Sequence, residues 1–164
     1  MPETRSWRVP HEPPGWERLD ARQLLDAPWE LDPLPPFVRS DGSGPPEQQT
    51  SVRVCASRER LCVRFECQDR DIWATLTNRD DPIYEEEAVE LFLAPGEDDP
   101  VRYLEFEVSP DGVLFDAAIY NPDASRLTMT GDPTWDCPGI EWNARRFDSQ
   151  KRWLAVLVIP WRGI

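Results

Sequence analysis

Residues 79–95, RDDPIYEEEAVELFLAP, set two aspartates and four glutamates around Tyr84 and then run into an apolar strand. Carboxylates at that density suit three kinds of chemistry. Two acids about 5 to 10 Å apart, one with a raised pKa, hydrolyse glycosides. Clustered carboxylates bind hard cations such as calcium. Carboxylates beside a ring accept hydroxyl hydrogen bonds while the ring stacks on the C–H face of a sugar. Glu90, Glu105 and Glu107 could reach the hydrolytic spacing, but glutamates on an exposed face more often serve as acceptors, and no catalytic residue is assigned. For calcium the candidate ligands are CQDRDI, residues 67–72, and the run Glu85, Glu86, Glu87, whose spacing matches no EF-hand loop. Neither a metal site nor a cofactor is assigned.

Other chemistries lack their parts. The single histidine, His11, sits in a proline-rich segment, a poor platform for a general base. The four cysteines form no CxxC pair, and no glycine-rich phosphate loop occurs among the eight glycines. Haem ligation would fall to Met129, His11 or a cysteine, too few candidates to carry the case.

The net charge of −13, from 31 acidic and 18 basic residues, repels phosphate backbones and anionic lipid over about 10 Å at ordinary salt, so neither nucleic acid nor membrane is an expected partner. No run approaches the ~20 apolar residues of a span, and MPETRSWRVPHEPPGW has no signal-peptide pattern. As written, the chain reads as a cytoplasmic one, or as a processed piece of a secreted one. Of the basic residues 17 are Arg and one is Lys, which reads as coding bias. The eight tryptophans exceed ordinary usage and hint at surfaces that stack on rings.

Positioning these groups falls to strands. Residues 1–49 hold most of the prolines and read as an arm wrapping the domain, with a helical turn or two in WERLDARQLLDA. From residue 50 to 164 the period is two. Seven segments, TSVRVCA, RLCVRFECQ, EAVELFLA, RYLEFEVS, GVLFDAAIY, IEWNARRF and KRWLAVLVIPW, predict an all-β, antiparallel β-sandwich of jelly-roll-like type. In RYLEFEVS, Leu104, Phe106 and Val108 point inward and Tyr103, Glu105 and Glu107 outward. In EAVELFLA, Val89, Leu91 and Leu93 point inward and Glu90 and Phe92 outward. If the two strands are neighbours, Glu90, Phe92, Tyr103, Glu105 and Glu107 share one open surface. The hairpin at 50–68 should pair residues whose numbers sum to 117, which sets Cys55 opposite Cys62 on an outward face, within reach of a strained disulfide, with reduced thiols the favoured state of the two.

LCVRFECQDRDI, TNRDDPIYEEEAVELFLAP, RYLEFEVSPDGVLFDAAIYNP and TWDCPGI, in that order between about Thr50 and Trp161, resemble the carbohydrate-binding module family 9-like domains, which share a DOMON-like β-sandwich. The resemblance implies a non-catalytic domain that binds a mono- or oligosaccharide, in a family often secreted and attached to glycoside hydrolases. Tyr84 stands where the family's first stacking aromatic lies, Glu90 matches its strand glutamate, and Glu107 replaces an arginine that contacts sugar. The family's second tryptophan lies beyond the IPW strand, so the resemblance implies a C-terminally shortened version whose open sheet edge would be covered by the arm or by self-association. Glu105, Glu107, Trp73 and Trp135 complete the expected ligand-binding set with Tyr84 and Glu90. The other expectation is a structural or interaction sandwich that has lost sugar binding, with both tryptophans plugging its ends.

Overall fold

In a computed structural model, which describes residues 7–96 and 100–164, the chain is a β-sandwich of two four-stranded antiparallel sheets. The first six residues of the expected arm lie outside the described residues. One sheet has the order β1-β2-β8-β7, formed by Thr50–Ala56, Arg60–Gln68, Arg152–Pro160 and Glu141–Phe147. The other has the order β3-β4-β5-β6, formed by Val89–Leu93, Arg102–Val108, Leu114–Tyr120 and Thr130–Asp132. Among the described residues no helix is long and apolar enough to cross a membrane.

Period-two alternation makes the interior. Val52, Leu61, Val63, Phe65, Cys67, Trp153, Ala155, Leu157 and Ile159 come from the first sheet, and Val89, Phe106, Val108 and Leu114 from the second, all in one buried cluster. The hairpin register is as expected: Val52 faces Phe65, Val54 faces Val63 and Cys55 faces Cys62. The seven expected strands are present, and an eighth, β6, joins them. Its sequence, Thr-Gly-Asp, is short and polar and carries no alternation, because it is held only by pairing with the end of β5.

The outer faces depart from expectation. Cys55 and Cys62 are not at the surface: both are free and fully buried. A second apolar cluster covers them, in which Trp16, Ala21, Leu24, Leu25 and Trp29 pack on Leu154, Val156 and Val158. That cover includes α1, Ala21–Asp26, which begins at a capping box: the Gln23 amide donates to Asp20 at 2.8 Å and the Asp20 amide donates to Gln23 at 3.0 Å. β8 is therefore apolar on both faces, a continuous run rather than an alternating one.

Arginines fasten this cover. Arg60 donates to Glu12 at 2.5 and 3.0 Å, to the Leu19 carbonyl at 2.9 Å, and to the Trp16 carbonyl. Arg53 donates to the Leu31 carbonyl at 3.1 Å, and Arg145 pairs with Asp26 at 2.5 Å. The planar five-donor fork binds several carbonyls at once, which a lysine ammonium cannot do with the same geometry. The arginine skew thus has a structural use that coding bias does not supply. The arm also meets the edge of β1: the Ala56 amide donates to Pro10 at 3.0 Å and the Leu34 amide to Val52 at 2.8 Å.

Leu24 is fully buried between α1 and the first sheet. Leu24→Ala is expected to lower the unfolding free energy by about 2 to 5 kcal/mol, read from urea denaturation as a shifted midpoint at unchanged slope.

Candidate functional site

Strand register makes the site. β3 and β4 pair with Glu90 opposite Glu107 and Phe92 opposite Glu105, and β5 extends the rows with Phe115 and Ala117. All six point away from the interior occupied by Phe106 and Val108. The outer face of the second sheet thus carries three glutamates, Glu90, Glu105 and Glu107, each with a carboxylate oxygen within 4.8 Å of the others.

The expected surface is assembled but only partly open. Glu90 is exposed and Glu105 half-buried, whereas Glu107 is sealed at 1 % exposure. Beside Glu107, whose β5 neighbour is Phe115, the segment before β3 folds back over β5. Its Ile83 is fully buried against Val113, Phe115, Ala117 and Ile119, with Leu76 and Ala88 beside it. Tyr84, the next residue, rests edge-on against Phe115 with centroids 5.5 Å apart and stays 54 % exposed. At the diagonally opposite corner Phe92, 51 % exposed, meets Tyr103 edge-on at 5.8 Å. The sequence reading puts Phe92 and Tyr103 on this surface without assigning them to the ligand; the structure places both rings at the rim of the carboxylate floor.

Half of the acid crowd around Tyr84 ties down its own loop. Glu86 accepts the Thr75 amide at 2.7 Å and the Leu76 amide at 3.3 Å, together with the Thr75 hydroxyl. Glu87 accepts the Trp73 amide at 2.9 Å, and Asp81 the amides of Thr77 and Asn78 at 3.1 and 2.8 Å. These bonds hold Glu86 and Asp81 below the usual carboxylate range. The two stretches considered for calcium do meet. Burial, then the neighbouring Asp69 and Asp71, push Glu87 up to about 7, while Asp69 itself accepts the Asp71 amide at 3.0 Å.

The floor has a different electrostatic character. Burial first, then the charges of Glu90 and Glu105, push Glu107 up to about 8. Burial and Glu90 raise Glu105 as well. The Glu107 Oε2 is buried without a hydrogen-bond partner. A second trio, Asp80, Asp116 and Asp136, shows the contrast. There Arg79 reaches Asp116 at 2.7 Å and Asp136 at 2.6 Å, and the Cys137 amide donates to Asp116 at 2.7 Å. That trio contains its own counterion and braces the loop before β3 against residues 136–137. The lone aspartate in LFDAAI was the available sign of it in the sequence.

The two tryptophans fall elsewhere. Trp135 packs edge-on against Phe106 at 6.0 Å and joins the interior cluster, on the opposite side of the sheet from Glu105 and Glu107. It plugs the sandwich. Trp73 is exposed, with its amide held by Glu87, and no contact brings it onto the floor. A separate groove of about 860 Å³ lies at the end of the sandwich, lined by Leu93, Leu104, Tyr120, Trp161 and Ile164 among others, with Tyr103 at its edge and none of the three glutamates in its wall.

Comparison with known proteins gives a fold and one relative. No family model matches the chain. Over 124 residues it is 32% identical to an extracellular protein of Arthroderma benhamiae, a match covering 70% of this chain and 55% of that protein, so the chain spans about half the length of the curated relative it matches. A crystal structure of a Bacteroides uniformis protein, provisionally assigned to carbohydrate binding, aligns with a TM-score of 0.58 at 18% identity, over 80% of this chain and 60% of that one. The two share the same general β-sandwich type.

The folded-state pKa of Glu107 lies above that of an unfolded glutamate, so the unfolded chain releases its proton first as pH rises. Burial of Glu107 therefore costs little below the ordinary carboxylate range, and the cost grows between pH ~4.5 and about 8. In buffer free of divalent cations, Glu107→Gln is expected to stabilise the fold by an amount that rises over this window to about 3 to 5 kcal/mol, read from urea denaturation at pH 5 and pH 9. A difference between the two proteins that does not change with pH contradicts this.

Proposed function

We propose that the chain is a non-catalytic carbohydrate-binding domain that holds a mono- or oligosaccharide against the outer face of β3 and β4. The observation that carries this reading is the floor itself: acceptor carboxylates set between two exposed rings, Tyr84 and Phe92, on a rigid sheet. Sugars present C–H faces and hydroxyl edges together, and binding them needs aromatic faces and acceptors at adjacent positions. Glu90 and Glu105 accept hydroxyl hydrogen bonds, Tyr84 stacks from the β5 side, and Phe92 closes the far corner. The resemblance to family 9-like modules and the provisional assignment of the Bacteroides uniformis protein support the same reading.

Two features favour binding over hydrolysis. The three carboxylates stand side by side on one sheet face, so they meet a ligand from one side, whereas a glycosidase places its acid and its nucleophile or base across the scissile bond. Glu107, the carboxyl pushed furthest up, is almost wholly buried at the bottom of the floor, out of reach of a glycosidic oxygen.

Binding is tested on a panel of glucose, galactose, mannose, cellobiose and xylobiose by calorimetry. Tyr84→Ala and Phe92→Ala are each expected to weaken affinity about tenfold or more while lowering the melting temperature by only a few degrees, since each ring is half exposed and loses one edge-on aromatic contact. Trp135→Phe, on the interior side, is expected to leave affinity intact. A domain that binds none of the panel belongs instead to the interaction-domain class, and sugar affinity that ignores both Tyr84 and Phe92 overturns this placement of the site.

A further inference from the structure

We propose that Glu90, Glu105 and Glu107 hold one calcium ion, and that a bound sugar completes its coordination through vicinal hydroxyls. The second half of this proposal rests on the sugar-binding reading; the first half does not.

Geometry comes first. Calcium takes oxygen ligands at about 2.3 to 2.6 Å, so two ligands of one ion lie no more than about 5 Å apart. The three carboxylates satisfy this, with oxygens within 4.8 Å of one another. Three side chains from two adjacent strands therefore converge on a volume the size of one ion, and strand pairing rather than a loop fixes their spacing.

Burial is the second, independent observation. Glu107, which shares the cluster with two further carboxylates, is almost wholly buried, and its Oε2 has no hydrogen-bond partner. A buried carboxylate oxygen without a donor is costly, and proteins answer that cost with a proton, a basic side chain or a metal. The aspartate trio uses the basic side chain: Arg79 contacts Asp116 and Asp136, and although the buried Asp80 Oδ1 also lacks a hydrogen bond, the Arg79 Nε lies 3.8 Å from it. At the glutamate trio the neighbouring charges that act on Glu107 are both carboxylates. The floor therefore combines the ligand set of a divalent cation with a buried oxygen still lacking a partner.

The donor set selects the ion. All three ligands are carboxylates, with neither His nor Cys in the cluster, which excludes the usual zinc site and favours a hard cation. Ligands on two pleated strands are irregularly disposed, a geometry calcium tolerates and magnesium resists. Exposure also grades across the site, from Glu107 at the bottom through Glu105 to Glu90 at the rim. The ion is thus anchored from beneath and open above, and three side chains leave several of its six to eight positions free. Those positions face the space between Tyr84 and Phe92 where the sugar would lie. A pair of vicinal hydroxyls fits two adjacent positions of such a shell.

The test has two arms, both on the full chain stripped with chelator. In the first, calcium chloride is titrated by calorimetry without sugar. One site is expected, with a Kd of about 10⁻⁴ to 10⁻³ M. Glu107→Gln, and separately the exposed Glu90→Gln, should each weaken it at least about tenfold. Glu87→Gln and Asp136→Asn, at the other two acidic groups, should leave it unchanged. No saturable binding, or binding indifferent to both floor variants, overturns the site. In the second arm the sugar panel is titrated with calcium and with chelator. Affinity that falls at least about tenfold in chelator supports the bridge. Sugar binding that is equal in both overturns the bridge and leaves the sugar reading standing. A calcium site with no sugar bound in either condition leaves the ion in place, and both the sugar reading and the bridge fall.

Discussion

Pairing Glu90 directly against Glu107 is the constraint from which the site follows. Opposed residues on neighbouring strands stand close together, and like charges placed there repel unless something intervenes. The sheet does not move them apart, because the alternate residues Val89, Leu91, Phe106 and Val108 are committed to the interior. A one-residue slip would bury the glutamates and expose the core. The apolar side of the sheet thus fixes the polar side, and the carboxylates share a floor because the hydrophobic interior leaves them no other register.

Neither outer face of the sandwich is left bare, and the two covers differ in chemistry. Over the first sheet, the arm lays down an apolar helix and two tryptophans, fastened by guanidinium groups that collect carbonyls and the Glu12 carboxylate. Over the second, the loop before β3 anchors Ile83 on β5 and ties itself with its own carboxylates to the amides of residues 73–78. The second cover reaches only part of its sheet. It covers the β5 side and stops at Tyr84, so the boundary between covered and open sheet is also the line along which the rings and free carboxylates gather.

Two acidic trios thus meet opposite ends. Arg79 converts one into an internal brace between loops, stacked beneath by Trp142 at 5.5 Å. The other stays unpaired beside open sheet. Net acidity alone does not separate them; the placement of a single guanidinium does.

The amino-acid sequence by itself determined the sandwich, the hairpin register and the inward and outward residues of each strand, because a period of two needs no knowledge of what packs above it; that Glu90, Phe92, Tyr103, Glu105 and Glu107 keep company follows only from the pairing of β3 with β4. Tertiary structure decided what covers each face. That Glu107 is sealed, that Cys55 and Cys62 lie under α1, that Trp135 belongs to the interior and that Asp116 meets Arg79 all depend on contacts between segments distant in the chain. Alternation says on which side of a sheet a residue lies. Whether that side sees water is settled by which distant segment folds over it.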